Sequence, residues 1–600
     1  MASTVNNFTI AVGTVNGTGS ASSNAVLAKS LFRMGVPVAA KNLFPSNIAG
    51  LPTWFLIRLT EEGYQCRSES REVVVAMNPS TLVEDIASVA PGGVLLLDES
   101  VRKKEDIERD DITCFAIPFV EISREHAPDV RLRKLLANMV YVGVVSHLLD
   151  LDKDTVMEAI ADQFSKKEKV VSLNQKVVQA GMDYAAEHLD RSTVPFKVEA
   201  RERSEKKLFI EGNTSMAMGA LMGGCTVVAW YPITPSSGFC EEFIRLATEY
   251  RTDGEEKRFA DVQAEDELAS LGLVLGAGWA GARAMTATAG PGIALMGEFA
   301  GFGYYAEIPA VIFDVQRVGP STGMPTRTQQ SDVQLCAHLS HGDTEHVLLL
   351  PSGPEELYEF GQLAFDLAER LQTPIFVLTD LDMGMNSWTC KPLEYPEKGF
   401  DRGKVLDMEG LKKMESFNRY EDVDDDGIPY RTLPGTPHPL APYFTRGSGH
   451  TTAAEYTEDP VEYQEVVDRI KKKIEGSVQW TPAPVEGGDA KADLGILHFG
   501  STSFAVEEAM NLLSAEGIET RDLRIRAFPL HEEVVEFVQS CKVVFVAEQN
   551  RDGQLADLVR LKVPGSAGKI KKVLYYGGLP MAAGPIVEGV KANLEEPVRA

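Results

Sequence analysis

Five short stretches bring together residue types that can do chemistry. The first, Tyr231-Pro232-Ile233-Thr234-Pro235-Ser236-Ser237, lies between an apolar run at 226–230 and a helical pattern over 236–249. Thr234 is placed to cap that helix and Pro235 to occupy its first position. A helix N-terminus at the carboxyl end of a strand is a ready anion site, although Thr-Pro also begins helices that bind nothing. The second, Gln263-Ala264-Glu265-Asp266-Glu267, opens a helix expected over 266–280. Glu265 and Asp266 complement the helix dipole, whereas Glu267 is followed by small and apolar residues that hold its carboxylate out of water, a setting for proton traffic. Two Gly/Pro-rich loops, 286–292 and 316–326, each follow an apolar strand, and such loops form the ligand crevice of open α/β sheets. Arg317 in the second could clamp a carboxylate bidentately or pair with a neighbouring acid. Last, Gly13, Gly17, Gly19 and Ser20 lie between a strand and a helix as a phosphate-cradling loop would, but Ser22 stands where a dinucleotide fingerprint needs its third glycine.

These stretches need strands and helices to hold them. Residues 8–12 and 73–77 read as strands and 22–34 as a helix, giving an α/β domain over 1–195, closed by a charged linker at 196–207. From 208 to 385 the alternation is regular. Strands are expected at 226–230, 284–288, 311–315, 347–350 and 374–379, with a helix at 355–371, so this region is a doubly wound sheet. Residues 386–490 are rich in Pro, Gly and charge and read as an irregular insertion. A third α/β unit fills 491–600, with strands at 494–499 and 543–547 around a helix at 504–515.

The bulk of the chain narrows the function classes. Six hundred residues exceed one hydrophobic core, and no apolar run is long enough to span a membrane. The first residues resemble neither a signal nor a transit peptide, which implies a cytoplasmic location. Fifty-nine basic against 87 acidic residues leave a formal charge of −28, which opposes binding to nucleic acid or anionic lipid. The seven cysteines are scattered without zinc or iron–sulfur spacing and read as small buried residues, so a metal cluster serving this protein must sit on another chain. His338 and His341 lack a third ligand and read as polar contacts. The acidic stretch 422–427 lacks the terminal acid of a calcium loop. No metal ligand is assigned.

Taken together, Glu211-Gly212-Asn213, the segment 231–237, Glu267 with the small residues behind it, Arg283-Ala-Met-Thr-Ala-Thr288, Gly290-Pro291-Gly292, Arg317 with Gly319–Gly323, and His341-Gly342-Asp343 resemble the α subunit of 2-oxoacid:ferredoxin oxidoreductases. The front block, with its glycine loop and Asn47-Ile-Ala-Gly-Leu-Pro-Thr-Trp-Phe, resembles the γ domain fused ahead of the α domains, and the tail a transketolase C-terminal domain. The resemblance implies that 208–385 is the pyrimidine-binding half of a thiamine diphosphate site. A β subunit would then hold the diphosphate, Mg²⁺ and a [4Fe-4S] cluster. It further implies that Glu267 contacts N1′ of the aminopyrimidine, with Glu265 in its place if the register shifts by two. Tyr231, Pro232 and Ile233 would lie against the cofactor, and Thr234 and Arg317 would hold the 2-oxocarboxylate. Gly17, Gly19 and Ser20 would lie on the coenzyme A route. The implied reaction is coenzyme A-dependent oxidative decarboxylation with electrons passed to ferredoxin, or its reverse, in an α2β2 assembly. The form of the 231–235 motif is most like 2-oxoglutarate enzymes, with pyruvate and branched-chain oxoacids as alternatives. A self-contained thiamine enzyme would need a Gly-Asp-Gly and Asn-Asn pair that the sequence lacks. A noncatalytic assembly or nucleotide-binding subunit is the competing reading from another class.

Overall fold

The computed structural model describes residues 3–45, 50–104, 107–127, 129–165, 167–202 and 205–595. Asn47, Ile48 and Ala49 of the front-block resemblance lie outside the described residues. The chain divides into two units, one of Met1–Phe209 with Asn386–Pro392 and Ala582–Gly584, the other of Ile210–Met385, Leu393–Met581 and Pro585–Ala600.

In the first unit, Phe8–Val15 (β1), Val38–Leu43 (β2), Pro52–Leu59 (β3), Val73–Ala76 (β4), Val94–Asp98 (β5) and Thr113–Ile117 (β6) form one sheet, ordered β2-β3-β1-β4-β5-β6. β4 and β5 are buried at every position, which is why they read as continuous apolar runs rather than alternating ones. Helix Ser20–Arg33 (α1) follows β1, and the long helices Val130–Leu148 (α2) and Glu168–His188 (α3) pack against each other. Glycines set that approach: a Cβ on Gly143 would lie 2.1 Å from the Val178 carbonyl oxygen, and one on Gly181 2.4 Å from that of Val140. The stretch expected to be a linker carries a short strand, Phe196–Lys197, paired in parallel with Thr4–Val5.

The second unit holds two large sheets beside a two-stranded ribbon of Thr252–Asp253 and Glu256–Lys257. Val227–Trp230 (β7), Ala260–Gln263 (β8), Ala284–Thr288 (β9), Ala310–Gln316 (β10), Val347–Leu349 (β11) and Pro374–Asp380 (β12) are followed by Val485–Gly488 (β13), Leu494–His498 (β14), Thr520–Arg524 (β15), Ala527–Phe528 (β16), Val543–Glu548 (β17) and Ile570–Leu574 (β18). The larger sheet runs β8-β7-β9-β10-β12-β11-β16, parallel throughout except for β16, and the smaller runs β13-β15-β14-β17-β18. β16 follows β15 and pairs antiparallel to β11, so the two sheets share one core in which Ile312, Leu348 and Phe376 meet Leu497, Leu523 and Phe528.

The helices that matter below are Gly212–Met222 (α4), Ser237–Tyr250 (α5), Glu267–Trp279 (α6), Gly290–Tyr305 (α7), Val333–Ala337 (α8), Gly353–Leu371 (α9), Pro460–Glu475 (α10) and Thr502–Ala515 (α11). α10 lies within the stretch expected to be irregular. Asp459 caps it, accepting from the backbone N–H groups of Val461 and Glu462. Among the described residues no helix is long and apolar enough to cross a membrane.

Candidate functional site

The parallel register puts the carboxyl ends of β7, β8, β9 and β10 on one edge of the sheet, and every chemistry-bearing loop of the second unit leaves from there. β7 hands the chain to β8 on one side, while β9 hands it to β10 on the other. Connections that diverge in this way open a crevice between β7 and β9, the usual ligand position in such sheets.

The loop after β7 differs from its expected form. α5 begins at Ser237, with Ser236 before it in helical conformation, and the Thr234–Pro235 peptide is cis. Thr234 is therefore not the cap, and Pro235 precedes the helix. Two donors hold the loop from behind: Arg317 Nη1 donates to the Thr234 carbonyl at 2.6 Å, and Asn213 Nδ2, at the start of α4, donates to the Pro235 carbonyl at 3.2 Å. Tyr231 and Pro232 are exposed, Ile233 and Thr234 half-buried.

Glu267 is the first residue of α6 and is buried. Asp266 is the cap, accepting from the Ala269 N–H at 2.6 Å, which leaves the Glu267 carboxylate free of that duty. The glycine-rich first turn of α7 lies over it. A Cβ on Gly292 would come within 2.6 Å of Glu267 Cγ and 1.9 Å of Thr288 Oγ1. Only glycine allows so close an approach.

Arg317 is 7% exposed, so it works from inside the crevice. One arm of its guanidinium is engaged with Thr234, while its Nε is buried without a partner. Burial lowers its pKa, and the negative charges of Glu267 and Asp332 oppose that, which places all three charges in one field. The neighbouring acids were not singled out from the sequence. Asp314 on β10 is fully buried, and Cys336 Sγ lies 3.8 Å from its Oδ2. Burial and the charge of Asp332 push Asp314 well above the carboxylate range. Asp332, before α8, is pushed up to about 7 by burial against the pull of Arg317. Asp332 Oδ2 and Asp314 Oδ1 are both without hydrogen-bond partners. A sequence signal existed only for Asn213, as part of the Glu211-Gly-Asn213 motif.

In the first unit, Gly17 and Gly19 adopt left-handed backbone, with φ of 85° and 82°. The Ser20 hydroxyl accepts from Thr14 Oγ1 at 2.8 Å, and Asn138 Nδ2 holds the loop through the Thr18 carbonyl at 2.7 Å. His338 Nδ1 contacts the Thr344 carbonyl and His341 Nδ1 the Ser340 hydroxyl. Asp422 accepts from the backbone N–H groups of Asp426 and Gly427. All seven cysteines are buried.

Residues 218–438 match the family model described as pyruvate flavodoxin/ferredoxin oxidoreductase, thiamine diphosphate-binding, and residues 9–184 match that of pyruvate ferredoxin/flavodoxin oxidoreductase. Subunit alpha of 2-oxoacid:ferredoxin oxidoreductase 2 from Aeropyrum pernix is 30% identical over 98% of both chains. The 2-oxoglutarate synthase subunit KorA from Methanocaldococcus jannaschii is 33% identical over 57% of this chain and 88% of its own. Among solved structures, 2-oxoglutarate:ferredoxin oxidoreductase from Magnetococcus marinus, with 2-oxoglutarate, coenzyme A and succinyl-CoA bound, is similar over 98% of this chain and 99% of its own, at 28% identity and a TM-score of 0.87.

Proposed function

Because the chain belongs to the α subunits of the 2-oxoacid:ferredoxin oxidoreductases, an enzyme family, we propose that it supplies the pyrimidine and substrate half of a thiamine diphosphate site that a β subunit completes. The proposed reaction is coenzyme A-dependent oxidative decarboxylation of 2-oxoglutarate to succinyl-CoA and CO2 with electrons to ferredoxin, or its reverse. The observation that carries it is the gathering of Glu267, Arg317 and the Thr234 loop on one edge of the sheet. The choice of 2-oxoglutarate draws on the names of the KorA relative and the Magnetococcus marinus enzyme. The β subunit would bring the diphosphate site, Mg²⁺ and a [4Fe-4S] cluster, in an α2β2 assembly. The same reading keeps the domain boundaries near 195, 208, 385 and 490.

The residues present fit the pyrimidine end of thiamine diphosphate. That ring needs a carboxylate held out of water beside an open crevice, and Glu267 is buried under Gly292 at the crevice edge. Bound there, the cofactor supplies the carbon nucleophile that attacks the 2-oxo group and the electron sink that accepts the pair left by CO2. Glu267 would hold a proton at the pyrimidine N1′ and so bias the ring toward the tautomer that can take a proton elsewhere. Tyr231, Pro232 and Ile233 would pack against the cofactor, excluding water. Arg317, with Thr234, would orient the substrate carboxylate so that attack and decarboxylation proceed from one geometry. Gly17, Gly19 and Ser20 would lie along the coenzyme A route, where the backbone of a helix N-terminus favours phosphate.

The test is co-expression with a β subunit and assay of coenzyme A-dependent viologen reduction with 2-oxoglutarate, pyruvate or 2-oxoisovalerate. Rapid reduction with 2-oxoglutarate supports the proposal. Preference for another oxoacid corrects the substrate alone, and no reduction by a complex loaded with cluster and cofactor overturns the reaction.

A further inference from the structure

Three successive carbonyls of the loop after β7 are held from within the fold. That of Ile233 accepts from the Ser237 N–H at 3.0 Å and from the Ser236 and Ser237 hydroxyls at 3.1 and 3.2 Å. Those of Thr234 and Pro235 accept from side chains that other elements bring in, Arg317 Nη1 at 2.6 Å and Asn213 Nδ2 at 3.2 Å. Arg317 stands in the proposed site itself, whereas Asn213 lies behind the loop on α4.

Asn213 is 1% exposed, and glycines on either side make room for it. A Cβ on Gly384, past β12, would lie 2.7 Å from its Oδ1, and one on Gly238, the second residue of α5, 3.3 Å from its Nδ2. The direction of the carboxamide follows from its partner, since the flipped group would set oxygen against the Pro235 carbonyl. In this direction Oδ1 is buried without a partner, which destabilises the fold as an apolar side chain of that size would not. What an amide supplies here, and an apolar group cannot, is the donor to Pro235.

We propose that Asn213 is a positioning residue: by holding the Pro235 carbonyl it fixes the backbone on which Thr234 stands and thereby sets affinity for the 2-oxoacid. The proposal rests on the assignment of Thr234 to the substrate's carboxylate. Arg317 anchors the neighbouring carbonyl, but in that reading its guanidinium also serves the substrate, so Asn213 is the anchor with no second duty. A Thr234 hydroxyl free to drift loses its contact without losing its chemistry. Charge on the substrate carboxylate disperses as CO2 departs, so a contact with it is strongest in the ground state and its loss shows in KM rather than in kcat.

The experiment uses the holoenzyme with its β subunit and 2-oxoglutarate. Asn213→Asp keeps the shape and puts an acceptor where the donor was, and Asn213→Ser leaves a hydroxyl too short to reach Pro235. Each is made alone and with Thr234→Ala, and either suffices where the other fails to assemble. Each single variant is expected to raise KM about three- to tenfold, the worth of one buried hydrogen bond, with kcat within about twofold of native. With Thr234→Ala already present, adding either should change KM by less than about twofold, because the residue through which Asn213 acts is gone. An unchanged KM overturns the proposal, as does a fall in kcat at native KM or a full further rise in the Thr234→Ala background. If neither variant assembles with the β subunit, Asn213 serves the fold alone and the proposal is overturned as well. If Thr234→Ala by itself leaves KM native, the assignment of Thr234 falls and this inference falls with it, an outcome distinct from failure of Asn213.

Discussion

Gly292 makes room for Glu267, the carboxylate proposed to act at the pyrimidine ring. Replacing Glu267 by Gln keeps shape and removes the proton, so turnover by the holoenzyme should fall at least about 100-fold while the melting temperature stays near native. An active Glu267→Gln enzyme would remove the carboxylate from the proposed role. Gly292→Ala acts on the same contact from the other side. Its Cβ would meet Thr288 Oγ1 at 1.9 Å and Glu267 Cγ at 2.6 Å, so the carboxylate must shift. A displacement near 1 Å costs on the order of 100-fold in rate, while overpacking costs about 1–3 kcal/mol of stability. Loss of rate with a small loss of stability, read by steady-state kinetics and thermal melting, would confirm that the glycine serves geometry. Glu267 was legible in the sequence because small and apolar residues follow it, and Arg317 because it stands in a Gly/Pro-rich loop directly after an apolar strand. Asp314 and Asp332 were not: one interrupts an apolar strand and the other precedes a five-residue helix, and neither position shows from sequence that the carboxylate is buried.

At the level of elements, α10 meets the end of α7 through buried charge set within an apolar stripe of Val466, Ile470 and Ile474. Glu307, just past α7, is buried with Lys473 Nζ at 2.7 Å and Arg469 Nη1 at 3.0 Å from its Oε2, while Arg419 donates to its backbone carbonyl at 2.9 Å. Burial pushes the Glu307 carboxyl up, but Arg469 and Lys473 overcome that and hold it well below the usual range. Glu307→Gln leaves two buried cations without a counter-charge and should cost about 3–5 kcal/mol, measurable as a lowered melting temperature. A near-native melt would show that water reaches those cations. This chemistry also explains why α10 was not foreseen. Its inward face is Val466, Ile470, Lys473 and Ile474, so a lysine stands where helical periodicity calls for an apolar residue. Five strands of the larger sheet, β7, β9, β10, β11 and β12, were in contrast legible to within one residue at each end, β9 and β10 being buried throughout and bounded by glycine and proline, whereas the exposed β8 and the two-residue β16 were not read. The start of α5 was misplaced because Thr-Pro also suits the cis turn that the structure uses.

Across the whole molecule, the balance of buried titrating groups decides how the fold meets acid. Asp380, buried where β12 meets the start of α11, accepts from Ser501 Oγ at 2.5 Å and Thr328 Oγ1 at 3.1 Å, and burial with the charge of Asp382 pushes it up to about 6. Its folded pKa lies above its unfolded one, so its contribution is greatest in acid and fades as pH rises toward about 6. His346 acts in the opposite direction. It is fully buried in the core of the larger sheet, its Nε2 lies 2.8 Å from the Leu339 carbonyl, and burial lowers it to about 4. The unfolded chain takes up a proton near pH 6.5 that the folded ring refuses, so the stability His346 confers is complete above that pH and is lost as pH falls toward about 4. A depression of this size corresponds to about 3 kcal/mol at the acid end. Acidification also relieves the self-repulsion of a chain carrying −28 charges, which works against this loss. His346→Gln keeps a donor for Leu339 and removes the titration, leaving the charge relief untouched. Melting temperatures of native and variant chains between about pH 4 and 7 should therefore converge in acid and diverge toward neutrality, with the native curve steeper. Parallel curves would show that the His346 ring is protonated within the fold, and that a buried acceptor for its second nitrogen stands where none was expected.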